Sequence, residues 1–528
     1  MSDNNVKVGR IGDFKKGEMK SVSVGQDKEI LIVNINDELF ALGAHCTHYS
    51  APLQDGVLSG DTIICPWHHA CFNAKTGSLK EPPAADSLPQ FEIIIENDNV
   101  LVKVPEEFPF SKTPEMAERD EYNDENFVIV GGGAAGYAAA QSMREAEYKG
   151  RITIVTKENR TPYDRPNLSK DYLQGSAQEE WMPLRPDDFY SQNNIEFMFD
   201  KKVNKINVKE KKILFEKGED LFYTKLLIAA GAVPRELNVR GSNLKNIFYL
   251  RSFSNSDSIV SAAENSKEAV VIGSSFIGME SASSLIERGI KVTVISPDDV
   301  PFEKTLGKEI GELLKKQHEE SGVEFKLKRN VKAFEGNGEV ESVLLDNGEK
   351  VKTDFVIVGI GVKPMTDFIE GLVKNPDGGI KVDDTFWAAE DIFAAGDAAA
   401  FPFWMTGEEI RIEHWRTALQ EGRLAGFSMA GKSTKYESIP FFWTHQAGLN
   451  IRYVGYVKNW DKIIYWGDVQ SKEFIAFYVK DNKVAAAAGN NKDKEIAAVE
   501  ILMKLDKMPS PGELEDKKPD LVSLAKRR

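Results

Sequence analysis

Two pairs of metal-binding side chains near the N-terminus carry the clearest chemical signal in the sequence. Cys46 and His48 form a C-x-H motif, and after sixteen intervening residues Cys65 and His68 form a C-x-x-H motif. These four side chains can hold a [2Fe–2S] cluster in which one iron takes two thiolates and the other takes two neutral imidazoles. Replacing thiolates by imidazoles removes negative charge and makes the cluster easier to reduce. The spacing therefore predicts a site that passes single electrons.

A structural zinc ion is the alternative occupant of the same four side chains. Each cysteine follows an apolar stretch, ELFALGAHC or TIIC, so each ligand pair is expected on a loop that leaves a strand. Ligand type and spacing together favour the cluster, which is of the Rieske kind. The third cysteine, Cys71, has no disulfide partner if the other two bind iron. We expect a small buried Cys71 and a cluster potential of about −150 mV.

Length and charge limit the classes of function. The 528 residues exceed what one hydrophobic core can serve, so about three or four domains are expected. The net charge of −15 argues against nucleic acid or an anionic membrane surface as a partner. No apolar run is long enough to cross a bilayer, and the first residues, MSDNNVKVGR, resemble neither a secretory signal nor a transit peptide. We expect a cytoplasmic protein, and association with mitochondria stays open.

Changes in composition and hydrophobic pattern along the sequence predict a multidomain fold. A small all-β domain is followed by an acidic, proline-containing linker, two α/β Rossmann-like nucleotide-binding domains and an α+β C-terminal domain. The predicted boundaries are 1–105 for the β domain, 106–125 for the linker, 126–252 and 386–435 for the first nucleotide-binding domain, 253–385 for the second, and 436–528 for the last. The linker is expected to allow several positions of the small domain, and the polar C-terminal residues are expected to pack loosely.

A glycine-rich turn begins the first α/β domain. The strand Asn126-Phe-Val-Ile-Val130 leads into Gly131, Gly133, Ala134, Ala135 and Gly136, where the glycines allow a tight turn, a close pyrophosphate and close packing of helix on strand. Free N–H groups at the start of the helix then face the phosphates. Glu158 ends the next strand, 22 residues after Gly136, and can accept hydrogen bonds from a ribose. The segment predicts a dinucleotide site.

A second glycine-rich turn follows the strand Ala269-Val-Val-Ile272. It contains Gly273 and Gly278, but Ser275 replaces the middle glycine. The next strand ends without an acid, although Asp298 and Asp299 follow shortly, and no Lys or Arg stands there to bind a 2′-phosphate. NADH is therefore favoured over NADPH.

Two dinucleotide sites predict two dinucleotides, a tightly held flavin and an exchanging nicotinamide. The apolar stretch Ile392-Phe-Ala-Ala ends in Gly396-Asp397, a turn that can present a carboxylate to a ribityl hydroxyl. An ordinary turn is the alternative for this dipeptide taken alone. Its place after the second unit indicates that the chain returns to complete the first domain.

The motifs resemble a known family when they are taken in order. CTHYSAPL, CPWHHACF, VIVGGGAAG, PYDRPNLSK, IGSSFIGMESA, VGIGVKP and IFAAGDAA are similar to segments of apoptosis-inducing-factor-like FAD/NAD(P)H reductases that carry a Rieske domain. The reductase half also resembles the ferredoxin reductases of oxygenase systems. The resemblance implies FAD, a [2Fe–2S] cluster and NADH or NADPH as cofactors, and it is compatible with a homodimer.

The resemblance also implies roles for individual residues. It implies that Lys170 and Glu280 are catalytic residues. It implies that FAD is bound by Glu158, Arg165, Lys170, Val203, Arg251, Asp397 and Trp443. It implies that the nicotinamide coenzyme is bound by Gly273, Ser275, Gly278, Glu280 and Gly361. For Trp443, plain core packing is an equally good explanation.

Two residues depart from the family pattern beside the cluster. Ser50 and His69 stand where the family usually has glycine, and those glycines allow positive φ. Keeping that conformation with a side chain costs about 1–2 kcal/mol. His69 also offers a second candidate ligand beside His68, but the C-x-x-H spacing favours His68.

Together these features predict an FAD-dependent NAD(P)H oxidoreductase that passes electrons through FAD to the cluster and on to a one-electron acceptor. No cysteine follows Cys71, which excludes a redox-active cysteine pair in the FAD domain and argues against a siroheme nitrite reductase with a second iron–sulfur centre. The remaining alternative is a redox-responsive interaction protein with slow turnover, in which NADH binding changes shape or association.

Overall fold

Short antiparallel strands build the N-terminal part of the protein. The structure is a computed structural model that describes residues 4–526. Asn97 and Asp98 both have positive φ, as a two-residue hairpin turn requires, and they join the strands on either side. One sheet contains Asn4–Arg10, Asn99–Val104 and Ile93–Glu96, and a second contains Met19–Gly25, Lys28–Ile35, Glu38–Gly43 and Gln90–Phe91.

A third small sheet supports the second cluster loop. Its strands are Val57–Ser59, Thr62–Ile64, Cys71–Asn73 and Leu79–Glu81, each paired with the next in sequence. Residues 65–70 form the connection between the second and third of these strands. The loop that carries Cys65 and His68 is therefore held at both ends by hydrogen-bonded strands.

A mostly parallel six-stranded sheet forms the first α/β domain. In spatial order its strands are Ile195–Met198, Arg151–Val155, Asn126–Val130, Lys225–Ile228, Ile392–Ala394 and the antiparallel edge strand Trp387–Ala389. The helix Ala134–Glu145 packs against the helix Trp415–Met429. A Cβ on Gly422 would lie 2.1 Å from the carbonyl oxygen of Ala135, so only glycine permits this close approach.

A five-stranded parallel sheet forms the second α/β domain. Its spatial order is Ile247–Phe248, Phe355–Val358, Glu268–Ile272, Lys291–Ser296 and Glu324–Leu327. Its helices are Phe253–Glu264, Phe276–Glu287, Glu303–Leu306 and Lys308–Glu320. Strands buried on both faces suit a parallel sheet covered by helices.

The C-terminal domain is an antiparallel sheet with helices. The strands run Phe441–Gln446, Leu449–Gly455, Lys483–Asn490, Glu473–Lys480 and Lys462–Asp468 in spatial order, followed in sequence by the helices Asp493–Lys504, Pro511–Asp516 and Leu521–Lys526. The last two helices are packed rather than loose, because Leu514, Leu521 and Ala525 are buried in the core. Ser59 of the N-terminal part donates a hydrogen bond to the carbonyl of Ala525 at 3.0 Å.

The remaining elements are short. The strands are Val203–Asn207, Lys212–Phe215, Leu221–Phe222, Ala232–Pro234, Val331–Glu335, Ser342–Leu345, Lys350–Lys352, Val362–Pro364, Ile380–Lys381, Ala399–Pro402 and Glu409–Ile410, and the α-helices are Asp171–Gln174 and Asp187–Gln192. Turns of 3₁₀ helix lie at Ile11–Asp13, Leu53–Asp55, Arg165–Ser169, Glu179–Trp181 and Gly396–Ala398. Between residues 4 and 526, no helix has the length and apolar character needed to cross a membrane.

The linker at 106–125 follows the surface of the first α/β domain without helix or strand. The backbone N–H of Ala117 donates to Arg144, and that of Asp120 donates to Lys149, at 3.0 and 2.9 Å. Lys112 and Ser87 exchange backbone hydrogen bonds. The small domain therefore has one position in this structure, where the sequence allowed several.

Candidate active site

The four predicted cluster ligands come together as two pairs. Cys46 and Cys65 are buried and their thiols hydrogen-bond each other. The Nδ1 atoms of His48 and His68 lie 3.2 Å apart. Among residues 4–526, no three His, Cys, Asp or Glu side chains are arranged to hold a single metal ion. Two thiols beside two imidazoles match a diiron cluster better than one tetrahedral zinc ion.

Three of the four side chains are in the form that binds iron, whereas the hydrogen bond to Cys65 raises the pKa of the Cys46 thiol well above its usual range. Burial lowers the pKa of His48 to about 3 and lowers the pKa of His68 well below its usual range, so both imidazoles are neutral. Burial opposes ionisation of Cys65, but hydrogen bonds from Cys46 and from the backbone N–H groups of Trp67 and His68 lower its pKa. Neutral imidazole and thiolate are the forms that bind metal.

Both cluster loops pass through the left-handed region at the residues that depart from the family pattern. Ser50 has φ of 57° and His69 has φ of 58°. The backbone N–H of Ser50 donates to Cys46, and that of His69 donates to Cys65, which closes a tight turn in each loop. The expectation of positive φ at these two positions is confirmed.

His69 does not face the other three ligands. Its ring is buried, hydrogen-bonds the carboxylate of Glu500 through Nδ1, and stacks on Phe441 with ring centres 3.9 Å apart. His68 instead lies against His48. The geometry therefore favours His68, and not His69, as the fourth ligand.

A large cleft, about 1640 Å³ in volume, receives most of the other predicted site residues. The residues that line it are Gly131, Gly133, Ala134, Ala135, Glu158, Arg165, Lys170, Val203, Arg251, Ser275, Glu280, Gly361, Asp397 and Trp443. The other three, Gly136, Gly273 and Gly278, lie behind the lining, where the chain packs tightly. The cleft therefore joins both glycine-rich turns.

The glycines behind the lining shape both turns. A Cβ on Gly136 would lie 2.0 Å from the carbonyl oxygen of Gly131, and a Cβ on Gly278 would lie 2.4 Å from that of Gly273. A Cβ on Gly133 would meet no atom within 4 Å, so the space above it is open to a ligand. These turns have the close packing and the open cradle that a dinucleotide pyrophosphate needs, so the chain fits FAD.

Ser275 begins the helix Phe276–Glu287 without blocking the second turn. Its hydroxyl donates to the carbonyl of Gly359 at 3.1 Å, and its backbone is extended. Just after the end of the strand Lys291–Ser296, Lys304 pairs with Asp298 at 2.9 Å and Lys328 pairs with Asp299 at 2.9 Å. The expectation that no Lys or Arg stands at this strand end is therefore wrong, because both lysines come from later segments of the chain.

Glu158 is held by two partners at the edge of the cleft. Arg165 approaches one carboxylate oxygen at 3.0 Å, and the hydroxyl of Tyr163 donates to the other at 2.6 Å. Burial opposes ionisation of Glu158, but the guanidinium of Arg165 lowers its pKa. Arg165 also donates to the backbone carbonyl of Arg251 at 2.6 Å. This network fixes the position of a carboxylate in the cleft lining.

Asp397 also lines the cleft and lies in a 3₁₀ turn. Arg251 donates to its carboxylate at 2.7 Å. The preceding backbone N–H, of Gly396, donates to the buried Glu421 at 2.7 Å, and burial raises the pKa of Glu421 well above its usual range. Sequence reasoning missed Glu421, which lies inside a helix with no local motif.

The partly buried Lys170 and the buried Glu280 form an ion pair in the lining of the cleft, with the Nζ atom 2.7 Å from the carboxylate. Ser169 and Thr444 also donate to Glu280, at 2.6 and 2.7 Å. Three elements thus converge on one carboxylate: the segment before Asp171–Gln174, the helix Phe276–Glu287 and the strand Phe441–Gln446. The arrangement fixes the position of a positive charge in the cleft.

Trp443 lies between the cleft and the cluster ligands. Its ring centre is 4.3 Å from that of His68 and 6.4 Å from that of His48, and its side chain lines the cleft. Tyr49, which stacks on His48 at 4.1 Å, donates a hydrogen bond to Asp164 in the PYDRPNLSK segment. The two predicted redox sites are therefore in direct contact through side chains.

Comparison with known families gives matches to three successive parts of the chain. Residues 4–92 match the Rieske [2Fe-2S] domain, residues 125–422 match the pyridine nucleotide-disulphide oxidoreductases, and residues 441–525 match the reductase C-terminal domain. The middle match covers more than half of the chain. The chain lacks the cysteine pair of the disulphide reductases, since no cysteine follows Cys71.

Individual relatives cover most of the chain. Apoptosis-inducing factor 3 from Homo sapiens is 35% identical over 93% of this chain and 82% of its own length. Rubredoxin-NAD(+) reductase from Pseudomonas putida is 32% identical over 72% of this chain and 99% of its own. Among solved structures, the covalent putidaredoxin reductase–putidaredoxin complex has a TM-score of 0.72 at 29% identity, covering 77% of this chain and 100% of the matched chain.

These comparisons agree with the fold and with the resemblance stated from the motifs. The cofactors are FAD, NAD(P)H and a [2Fe–2S] cluster. The chain belongs to the pyridine nucleotide-disulphide oxidoreductase family, as an FAD-dependent NAD(P)H oxidoreductase that carries its own Rieske domain.

Proposed function

We propose that this reductase delivers electrons from NAD(P)H to its own Rieske cluster within one chain, along a route that includes Trp443 and His68. Bound FAD supplies the exchange between a two-electron donor and a one-electron centre. The observation that carries the proposal is the contact of Trp443 with the His68 ring, at 4.3 Å, while the same side chain lines the cleft. This partly buried aromatic ring bridges the cleft and the cluster ligands.

Other side chains position the cofactors in this proposal. The first glycine-rich turn and Glu158 bind the adenosine end of FAD, with Val203 beside the adenine, and Asp397 holds the ribityl chain with support from Arg251. Ser275 and Gly361 face the nicotinamide coenzyme, and Asp298 accepts from its ribose. Lys170 places a positive charge where negative charge accumulates on reduction. Glu280 holds Lys170 in that place.

We propose a ferredoxin-type protein as the terminal acceptor. The support is that similar reductases carry rubredoxin and putidaredoxin in their names. The slow-turnover alternative is not favoured, because the matched relatives include several reductases. A homodimer stays a prediction, which sedimentation of the purified protein tests.

Anaerobic titration with NADH tests the internal route. We expect full reduction of flavin and cluster to require about 1.5 NADH per chain, because FAD takes two electrons and the cluster takes one. Optical spectra report the flavin, and electron paramagnetic resonance reports the reduced cluster. Bleaching of the flavin while the cluster stays oxidised would contradict the proposal.

Replacing Glu280 by glutamine tests the role of the ion pair between Lys170 and Glu280. We expect FAD to stay bound while its reduction by NADH slows roughly tenfold, about 1.4 kcal/mol of barrier, since Lys170 loses the carboxylate that positions it. Stopped-flow absorbance of the flavin measures the rate. The matched control is Glu145→Gln, which removes a carboxylate paired with Arg423 outside the cleft. Equal rates in the two variants would remove Glu280 from the mechanism.

A further inference from the structure

Three buried arginines of the reductase part (residues 126–526) donate hydrogen bonds to backbone carbonyls of the Rieske domain (residues 4–92). Arg185 donates to Ala85 at 2.8 Å, Arg416 to Pro82 at 3.1 Å and Arg452 to Trp67 at 3.2 Å. Each arginine has less than a tenth of its surface exposed. They come from three separate parts of the chain: a loop before Asp187–Gln192, the helix Trp415–Met429 and the strand Leu449–Gly455.

One of the three, Arg416, belongs to a buried charge network. It donates to Glu81 at 3.2 Å and to Glu500 at 2.9 Å. Glu81, the last residue of a Rieske strand, also accepts from Lys504 at 2.7 Å and from Gln420 at 2.6 Å. Burial opposes ionisation of Glu81, but Lys504 and Arg416 lower its pKa to about 2. The Rieske carboxylate is thus charged and surrounded by donors of the reductase part.

Arg185 and Arg452 connect this interface to the cluster loops. Arg185 also pairs with Asp86 at 2.7 Å, and the backbone carbonyl of Asp86 accepts from Thr47 at 2.7 Å. Thr47 lies between the ligands Cys46 and His48 in sequence, and Trp67 lies between Cys65 and His68. Each ligand loop is therefore linked to a buried arginine through one residue that stands between its two ligands.

We infer that the Rieske domain is permanently docked on the reductase part. Arg185, Arg416 and Arg452 are the positioning residues, and they hold the His48 and His68 rings of the Rieske domain against Trp443. The inference rests on the proposed internal route and adds that the route needs no domain movement. Buried ion pairs are screened by salt much less than exposed ones, so docking and internal transfer persist at high ionic strength. An encounter steered by surface charge would weaken as salt is added.

Cutting the linker in the folded protein tests permanent docking. A protease recognition sequence inserted after the exposed Thr113 lets the holoprotein be cleaved into residues 1–113 and the remainder. We expect the two pieces to elute together from a sizing column in about 1 M NaCl, where the Debye length is about 3 Å. Elution of the Rieske piece alone would overturn the inference.

The salt dependence of electron transfer within the intact chain is a second test of permanent docking. We expect the rate from flavin to cluster, measured after rapid mixing with NADH, to change less than about twofold between about 0.01 and 1 M NaCl, where the Debye length falls from about 30 to 3 Å. A fall of tenfold or more would overturn the inference.

Substitution of Arg185 tests the positioning role. We expect Arg185→Gln to leave the cluster spectrum and flavin reduction by NADH unchanged, while transfer from flavin to cluster slows several-fold and becomes salt-dependent. Asp86→Asn removes the same pair from the Rieske side and is expected to act in the same direction. The matched control is Arg423→Gln, on the same helix as Arg416 but paired with Glu145 inside the reductase part. Salt-independent transfer at the normal rate in both interface variants would overturn the role of Arg185.

The outcomes separate this inference from the proposed function. Pieces that stay together after cleavage but never reduce the cluster would contradict the internal route and support docking. If the intact chain reduces its cluster but the two pieces separate after cleavage, docking is contradicted and the internal route is supported.

Discussion

His68→Ala is expected to yield a yellow flavoprotein without the spectrum of a Rieske cluster. The histidine-bound iron then keeps only His48, and an imidazole pair is what defines this type of centre. We expect NADH to reduce the bound flavin at close to the normal rate, because His68 lies against Trp443 and is not itself part of the cleft lining. Electron paramagnetic resonance and iron and sulfide content measure the cluster, and reduction of ferricyanide measures the flavin.

His69→Gly is the matched control for the ligand assignment. Glycine adopts the positive φ of this position without strain, and the ring that is lost faces Glu500 rather than the cluster. We expect the cluster spectrum to survive. A variant pair with the opposite behaviour, in which His69→Gly loses the spectrum and His68→Ala keeps it, would transfer the ligand role to His69.

Local features of the sequence predicted the parts of the site that depend on a few neighbouring residues. Cys65 and His68 lie on one loop, so their spacing alone limits where both can reach. The glycine turn at Gly131 is fixed by a steric requirement, since a Cβ there would lie 2.1 Å from the carbonyl oxygen of Ala229. Positive φ at Ser50 followed from a family pattern of glycine. In each case one segment of chain carries both the signal and the constraint.

Contacts between distant segments left no such signal. Trp443 and His68 are far apart in the chain, and nothing in PFFWTHQ shows that the ring meets an imidazole instead of the general core. From the sequence, Arg452 is simply a charged residue in a strand. In the structure it is buried and donates a hydrogen bond to the backbone carbonyl of Trp67. The polar C-terminal segment suggested loose packing, because Leu514 and Leu521 reveal their burial only when the neighbouring sheet is in place. Tertiary packing decides these positions.

Trp443→Leu is expected to uncouple the two halves of the enzyme while leaving each half intact. Leucine keeps apolar volume in the strand but removes the ring that meets His68. We expect flavin reduction by NADH to continue, while transfer from flavin to cluster slows by about tenfold or more, which corresponds to about 1.4 kcal/mol of added barrier. Stopped-flow optical spectra and freeze-quenched paramagnetic resonance resolve the two events.

Two further variants control for loss of packing. Trp443→Phe keeps an aromatic ring at the same place and is expected to retain most of the transfer rate. Trp466→Leu removes a partly buried tryptophan from another strand of the same sheet, whose indole donates to the carbonyl of Leu514, and it is expected to leave transfer unchanged. If Trp443→Leu passes electrons to the cluster as fast as Trp466→Leu does, the tryptophan is a packing residue and the route between the two sites lies elsewhere.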